Sequence, residues 1–331
     1  MTGTDDRSKV AVLGAGVMGL GIGQVLAAAG HEVALFDPDP SARATVAERA
    51  EAICCLLEQG PGGVDRLRAT GDLEEALAGA GLVVEAGPED LDVKRRIFAD
   101  VSELTTPGAA LATNTSGIRV AALAESLGDH ARRFLATHFW NPPYLVPLIE
   151  VVPGARTEPD VVTEICSLLS DAGMRPVRLA VDTPGFVGNR LQHALKREAI
   201  ALVASGVCDA ETVDTVTKWG FGLRLPVLGP LEQSDMVGLG LTLAIHKELM
   251  PSLDRTAVPH ALLEEKVAQG QLGMATGEGF RTWTPEEADA VRRRVTEHLV
   301  DAARRRAQGA APAGAPAAVG AGRADGEEGP R

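Results

Sequence analysis

Lys9-Val10-Ala11-Val12-Leu13-Gly14-Ala15-Gly16-Val17-Met18-Gly19 decides the fold. A short aliphatic run of strand length leads into glycines spaced Gly-x-Gly-x-x-Gly, and a helical pattern follows to about Ala29. Each glycine answers a separate need. Gly14 permits a tight turn, Gly16 lets backbone approach a pyrophosphate, and Gly19 allows close packing of helix on strand. The helix start at Val17 and Met18 offers unpaired N–H groups and a positive dipole end to phosphates. Gly14, Gly16, Val17, Met18 and Gly19 are therefore the expected dinucleotide-binding residues.

Working outward, the next strand ends at Phe36-Asp37, about twenty residues past the glycines. A carboxylate there accepts hydrogen bonds from the adenosine ribose and repels a 2′-phosphate. Pro38 and Asp39 follow, not arginine. The expected cofactor is NAD.

Further aliphatic runs recur at Leu82–Glu85, Ala110–Thr113, Phe134–Phe139, Leu148–Val152 and Pro176–Ala180, with amphipathic stretches such as Leu91–Leu104 between them. Strands alternating with helices predict an α/β domain, a Rossmann-type doubly wound sheet over residues 1–183. From 184 to 308 the pattern is helix after helix: Phe186–Ala204, Ala210–Trp219, Leu239–Leu249 and His260–Gln269. Thr284-Pro285-Glu286-Glu287 then reads as a capped helix start. That predicts an all-α C-terminal domain. Residues 309–331, rich in Ala, Gly and Pro, read as a disordered low-complexity tail.

The 331 residues suffice for two domains. A formal charge of -13 opposes nucleic-acid binding and obliges any anionic substrate to meet a local basic or dipolar site. No apolar run approaches the roughly 18–20 residues of a membrane span, and no hydrophobic leader precedes Val10, so the expected location is the cytoplasm. Cys54, Cys55, Cys166 and Cys208 form no CxxC pair or zinc-like spacing, so no metal is expected.

Without metal, oxidising an alcohol requires a base for the hydroxyl proton as hydride leaves. His138 stands at the end of Phe134–Phe139, followed by Asn141-Pro142-Pro143, and ligands of doubly wound sheets sit beyond such strand ends. Twelve residues on, Glu150 is a lone carboxylate in an aliphatic strand, a costly placement unless it is paired. Spacing leaves two options: Glu150 orients His138, or it forms a structural salt bridge. His193, His246 and His298 in helical patterns, and His31, His130 and His260 at turns, read as structural.

Asn114-Thr115-Ser116, His138-Phe139-Trp140-Asn141-Pro142, Glu150 and Asp182-Thr183-Pro184-Gly185-Phe186-Val187-Gly188-Asn189-Arg190 closely resemble the L-3-hydroxyacyl-CoA dehydrogenase family, in its order and spacing. The resemblance runs from about Lys9 to Phe280. It implies that His138 is the general base, Glu150 its orienting partner, and Ser116 and Asn189 hydrogen-bond donors to the reacting oxygen. It places Glu89 and Lys94 near the nicotinamide ribose and adds Asn114 to the cofactor-binding set. It further implies a homodimer formed through the helical domain, a reacting carbon in the interdomain cleft, and a role in fatty acid metabolism on an L-3-hydroxyacyl thioester.

Three departures bear on that substrate. CoA-specific members carry a lysine-rich insertion after the second strand, whereas Pro38–Gly81 is shorter and has no lysine, only Arg43, Arg49, Arg66 and Arg68 among carboxylates. Ser116 is followed by Gly117 where a second serine is usual, and Ala275 replaces the lysine of a Gly-x-Lys-Thr-Gly motif. The alternatives are a free small hydroxy acid or ring alcohol (sugar acid, carnitine or a vitamin B6-type pyridine) and an acyl group on a carrier protein. A β-hydroxyacid dehydrogenase of the lysine-dependent kind is excluded, because Lys196 lies inside a helix without the glycine pattern. A crystallin-like, non-catalytic role is the remote alternative, since it would not require the four reactive side chains together.

Overall fold

The computed structural model describes residues 9–60 and 63–308, so the stretch from Gly309 lies outside the described residues. The chain divides into two compact units between Ala194 and Leu195.

In the first unit the chain runs β1 (Lys9–Leu13), α1 (Val17–Ala28), β2 (Val33–Phe36), α2 (Pro40–Ala44), α3 (Val46–Leu57) and β3 (Leu67–Thr70). It continues through α4 (Leu73–Leu77), β4 (Ala80–Glu85), α5 (Leu91–Leu104), β5 (Ala110–Thr113) and α6 (Val120–Ala124). Then come β6 (Phe134–Phe139), β7 (Leu148–Pro153), α7 (Pro159–Asp171), β8 (Arg175–Arg178) and α8 (Gly188–Ala204), the last crossing into the second unit.

The strands form one sheet in the order β3-β2-β1-β4-β5-β6-β7-β8, parallel except where β7 runs antiparallel to β6. β1 is flanked by β2 and β4, so the order reverses at the glycine loop, the switch point where doubly wound sheets bind ligands. Alternate residues of β1 feed opposite faces. Val10 and Val12 join a core with α1, α3 and α7, while Ala11 and Leu13 join one with α5 and α6. Burial on both faces explains why the strands read as continuous aliphatic runs.

β3 is the strand that the hydrophobic pattern does not reveal. Leu67-Arg68-Ala69-Thr70 pairs only with β2, and an edge strand this short and polar gives no alternation.

In the second unit the chain forms α9 (Ala210–Trp219), α10 (Pro230–Val237), α11 (Leu239–Leu249), α12 (Ala261–Ala268) and α13 (Pro285–Ala307). The expected cap of α13 is present: Thr284 Oγ1 accepts the Glu287 N–H and Glu287 Oε2 accepts the Thr284 N–H. α9 to α12 bury no residue, and Trp219 (76% exposed) and Leu231 (79%) stand open with Leu239, Leu241 and Leu243.

Candidate active site

His138 on β6 and Glu150 on β7 are direct partners in the antiparallel register, so their side chains share a face. His138 Nδ1 lies 2.9 Å from Glu150 Oε2, and the residues are only 4% and 2% exposed. The other carboxylate oxygen, Oε1, accepts the N–H groups of Val187 (2.9 Å) and Gly188 (3.0 Å). Burial pushes the Glu150 carboxyl up. The hydrogen bond from His138, the Gly188 and Val187 N–H groups and the nearby imidazole outweigh it, holding the group below the usual carboxylate range.

The backbone before α8 makes this possible. Gly185 (φ 73°) and Phe186 (φ 49°) are both left-handed, and for phenylalanine that conformation costs about 1–2 kcal/mol. The turn aims two successive N–H groups at one oxygen, an anion-binding nest. It also buries Phe186, whose ring centroid lies 5.5 Å from that of His138. Trp140 packs against Gly188 so closely that a Cβ there would meet the indole Cζ2 at 2.2 Å. Asn189 Nδ2 donates to the Ser116 carbonyl at 3.3 Å, bringing two predicted residues together.

A second charged network lies behind β4 and β5. Lys94 (1% exposed) donates to Glu85 Oε1 at 2.6 Å and Oε2 at 2.8 Å, and Glu85 is wholly buried. Thr113 Oγ1 and the Gly87 N–H also donate to that carboxylate. Lys94 Nζ lies 3.6 Å from Glu89 Oε2, and Glu89 Oε1 in turn accepts Thr115 Oγ1 and the N–H groups of Ser116 and Gly117. Burial raises Glu89, but these donors and the Lys94 charge keep it below its ordinary value. Glu89 thus sets the Ser116 backbone. Lys94, predicted beside the cofactor, presents its ammonium chiefly to Glu85. Sequence reasoning passed over Glu85, although it is a lone carboxylate closing an aliphatic strand, the same signal that singled out Glu150.

At the glycine loop, a Cβ on Gly14 (φ 110°) would meet the Ala86 carbonyl oxygen at 2.8 Å, and one on Gly19 would meet the Gly14 carbonyl oxygen at 1.8 Å. Gly16 differs: nothing lies within 4 Å of a Cβ built there. That open approach at the start of α1, beside exposed Val17, fits a dinucleotide pyrophosphate. Asp37 directly follows β2, with Oδ2 accepting the Ala15 N–H (2.7 Å) and Oδ1 the Asp39 N–H (2.9 Å). Each oxygen keeps a lone pair for a ribose hydroxyl.

A cavity of about 670 Å³ opens over the strand ends. Of the predicted residues, Met18, Glu89, Asn114, Ser116, His138 and Asn189 line it, while Gly14, Gly16, Val17, Gly19, Asp37, Lys94 and Glu150 stand outside its lining. Asn114 is fixed by accepting the Phe139 N–H at 2.8 Å. Phe139 and Trp140 contribute aromatic wall. His193, one helical turn past Asn189 on α8, also lines the cavity. No group of His, Cys, Asp and Glu among the described residues could hold a metal ion.

A dinucleotide loop at the switch point, an acidic residue at the end of β2 and a buried histidine over an open cavity define an NAD-dependent oxidoreductase acting on CH–OH groups. The family model for the NAD-binding domain of 3-hydroxyacyl-CoA dehydrogenase matches residues 9–183, and that for its C-terminal domain matches residues 185–283. The chain belongs to the 3-hydroxyacyl-CoA dehydrogenase family. It is 34% identical over 301 residues to 5-formyl-3-hydroxy-2-methylpyridine 4-carboxylate 5-dehydrogenase of Mesorhizobium japonicum, covering 88% of this chain and 96% of that one. It is 38% identical to the L-carnitine dehydrogenase of Streptomyces coelicolor over 70% of this chain and 74% of that one. A crystal structure of a 5-formyl-3-hydroxy-2-methylpyridine 4-carboxylic acid 5-dehydrogenase, an NAD⁺-dependent dismutase, superposes with a TM-score of 0.83 at 33% identity, covering 91% and 99% of the two chains.

Proposed function

We propose that the protein oxidises an alcohol on a small free carboxylic acid, with NAD as acceptor, rather than the thioester that the family name suggests. The observation that carries this reading is the state of the four arginines found where CoA-specific relatives carry lysines. Arg43 donates to the Asp37 and Pro38 carbonyl oxygens, and Arg49 to the Ala15 carbonyl oxygen. Arg66 pairs with Glu32 and Arg68 with Glu75. Each guanidinium already has an internal acceptor, and at Arg66 and Arg68 that acceptor is a carboxylate, so a CoA phosphate would meet negative charge there. The two relatives named above act, by their names, on a formyl pyridine carboxylate and on carnitine, both free acids.

In this reading Glu150 holds Nδ1 of His138 and leaves Nε2 to accept the hydroxyl proton. Ser116 and Asn189 hydrogen-bond the reacting oxygen as it becomes a carbonyl. Bound NAD supplies the hydride acceptor. The buried Glu85–Lys94 pair holds Glu89, and Glu89 fixes the Ser116–Gly117 backbone beside the cofactor. The open apolar surface of α9 to α11 supports a homodimer, with a second copy of the chain as its cover. Sedimentation of the purified protein reads that state directly.

The test of substrate class is NADH formation with L-3-hydroxybutyryl-CoA beside free L-3-hydroxybutyrate, L-carnitine and formyl and hydroxymethyl pyridine carboxylates. Turnover confined to free acids is expected. Turnover confined to the thioester would overturn the reading and restore the 3-hydroxyacyl-CoA substrate.

A further inference from the structure

We propose that His193 is a specificity-determining residue, whose imidazole receives a carboxylate carried by the substrate beside the oxidised carbon. The inference deepens the free-acid reading and rests on it.

Asn189 and His193 stand four residues apart on α8, so they lie on one helix face, displaced by roughly 6 Å along the axis. Both line the cavity. The other ionisable groups in the lining are already engaged: His138 by Glu150, and Glu89 by Thr115, Ser116, Gly117 and Lys94. His193 has no hydrogen bond or ion pair to any described residue, and among the described residues no lysine or arginine lines the cavity. A chain of net charge -13 repels anions, so an acid that enters needs a local donor. His193 is the ionisable side chain of the lining left without a partner, so its N–H can meet a carboxylate, and a helical turn from Asn189 suits a carboxylate a few bonds from the reacting oxygen. Trp140 and Phe139 then offer apolar wall to the body of the substrate.

The experiment compares benzoate with benzamide, which share ring and size and differ in charge, binding to the NADH-loaded full-length protein in a calorimeter. Wild type is expected to favour benzoate about tenfold, roughly one charge-assisted hydrogen bond. His193→Leu should abolish the preference while leaving NADH affinity and thermal unfolding unchanged, and His193→Arg should restore it. With an acid that the enzyme turns over, His193→Leu should raise KM about tenfold and move kcat little, because His138 and Asn189 are untouched. A preference that survives in His193→Leu, its absence in wild type, or no binding of benzoate at all would each overturn the proposal. The benzoate comparison needs no turnover, so thioester-only activity would refute the free-acid reading while this binding test still reports on His193 itself.

Discussion

Glu150 Oε1 accepts the Gly188 N–H at 3.0 Å while its Oε2 lies 2.9 Å from His138 Nδ1, so one carboxylate fixes both the imidazole and the start of the helix that carries Asn189. The antiparallel turn from β6 into β7 is what brings this carboxylate to the end of β6. A parallel crossover would have delivered the strand from its other end.

Glu150→Gln keeps the shape but loses one acceptor. Its amide can serve the α8 backbone or His138 with the correct tautomer, not both. Turnover should fall roughly 10²–10⁴-fold, the scale seen when tautomer control is lost in a catalytic triad. Steady-state kinetics checks this, and NAD binding should hold.

Gly188→Ala tests the packing of Trp140. The added Cβ would stand 2.2 Å from the indole, so ring or helix must shift. A loss of about 1–3 kcal/mol in unfolding free energy is expected, with reduced kcat, as overpacking against a rigid wall costs.

Removing one partner of the Glu85–Lys94 pair leaves a buried, uncompensated charge. Glu85→Gln or Lys94→Met alone should cost about 3–5 kcal/mol, and the double variant should cost less than the sum. Urea unfolding of the four proteins measures the coupling. Additive losses would mean that the pair is not a unit.

Glu89 and Glu150 are both held below their ordinary values. Depressed carboxylates contribute stability that is fully present above the unfolded pKa, about 4.3, and is lost as pH falls through the lower folded one. Glu150→Gln should therefore destabilise most near neutral pH, and its deficit should shrink as the solution is acidified below about pH 4. Thermal unfolding across that range reads the trend.

Much of this site was legible in the sequence because it depends on local pattern. The glycine loop, the aliphatic strands, and a lone histidine and glutamate at fixed spacing need no tertiary knowledge to read. What escaped depends on partners distant in the chain. β3 hid because an edge strand bearing Arg68 shows no alternation. Nothing local says that Arg49 reaches back to the Ala15 carbonyl oxygen. His193 reads as any histidine on an exposed helix, and only the folded chain shows it lining the cavity with Gly185 and Asn189. Glu85 alone was within reach of the argument used for Glu150.

The most direct test of the account is kcat of His138→Gln with the best acid from the substrate panel, measured beside NAD affinity. A loss of about 10²–10⁴-fold with unchanged NAD binding is predicted, as for a lost general base. Retention of most of the activity would contradict the assignment of His138 as the proton acceptor.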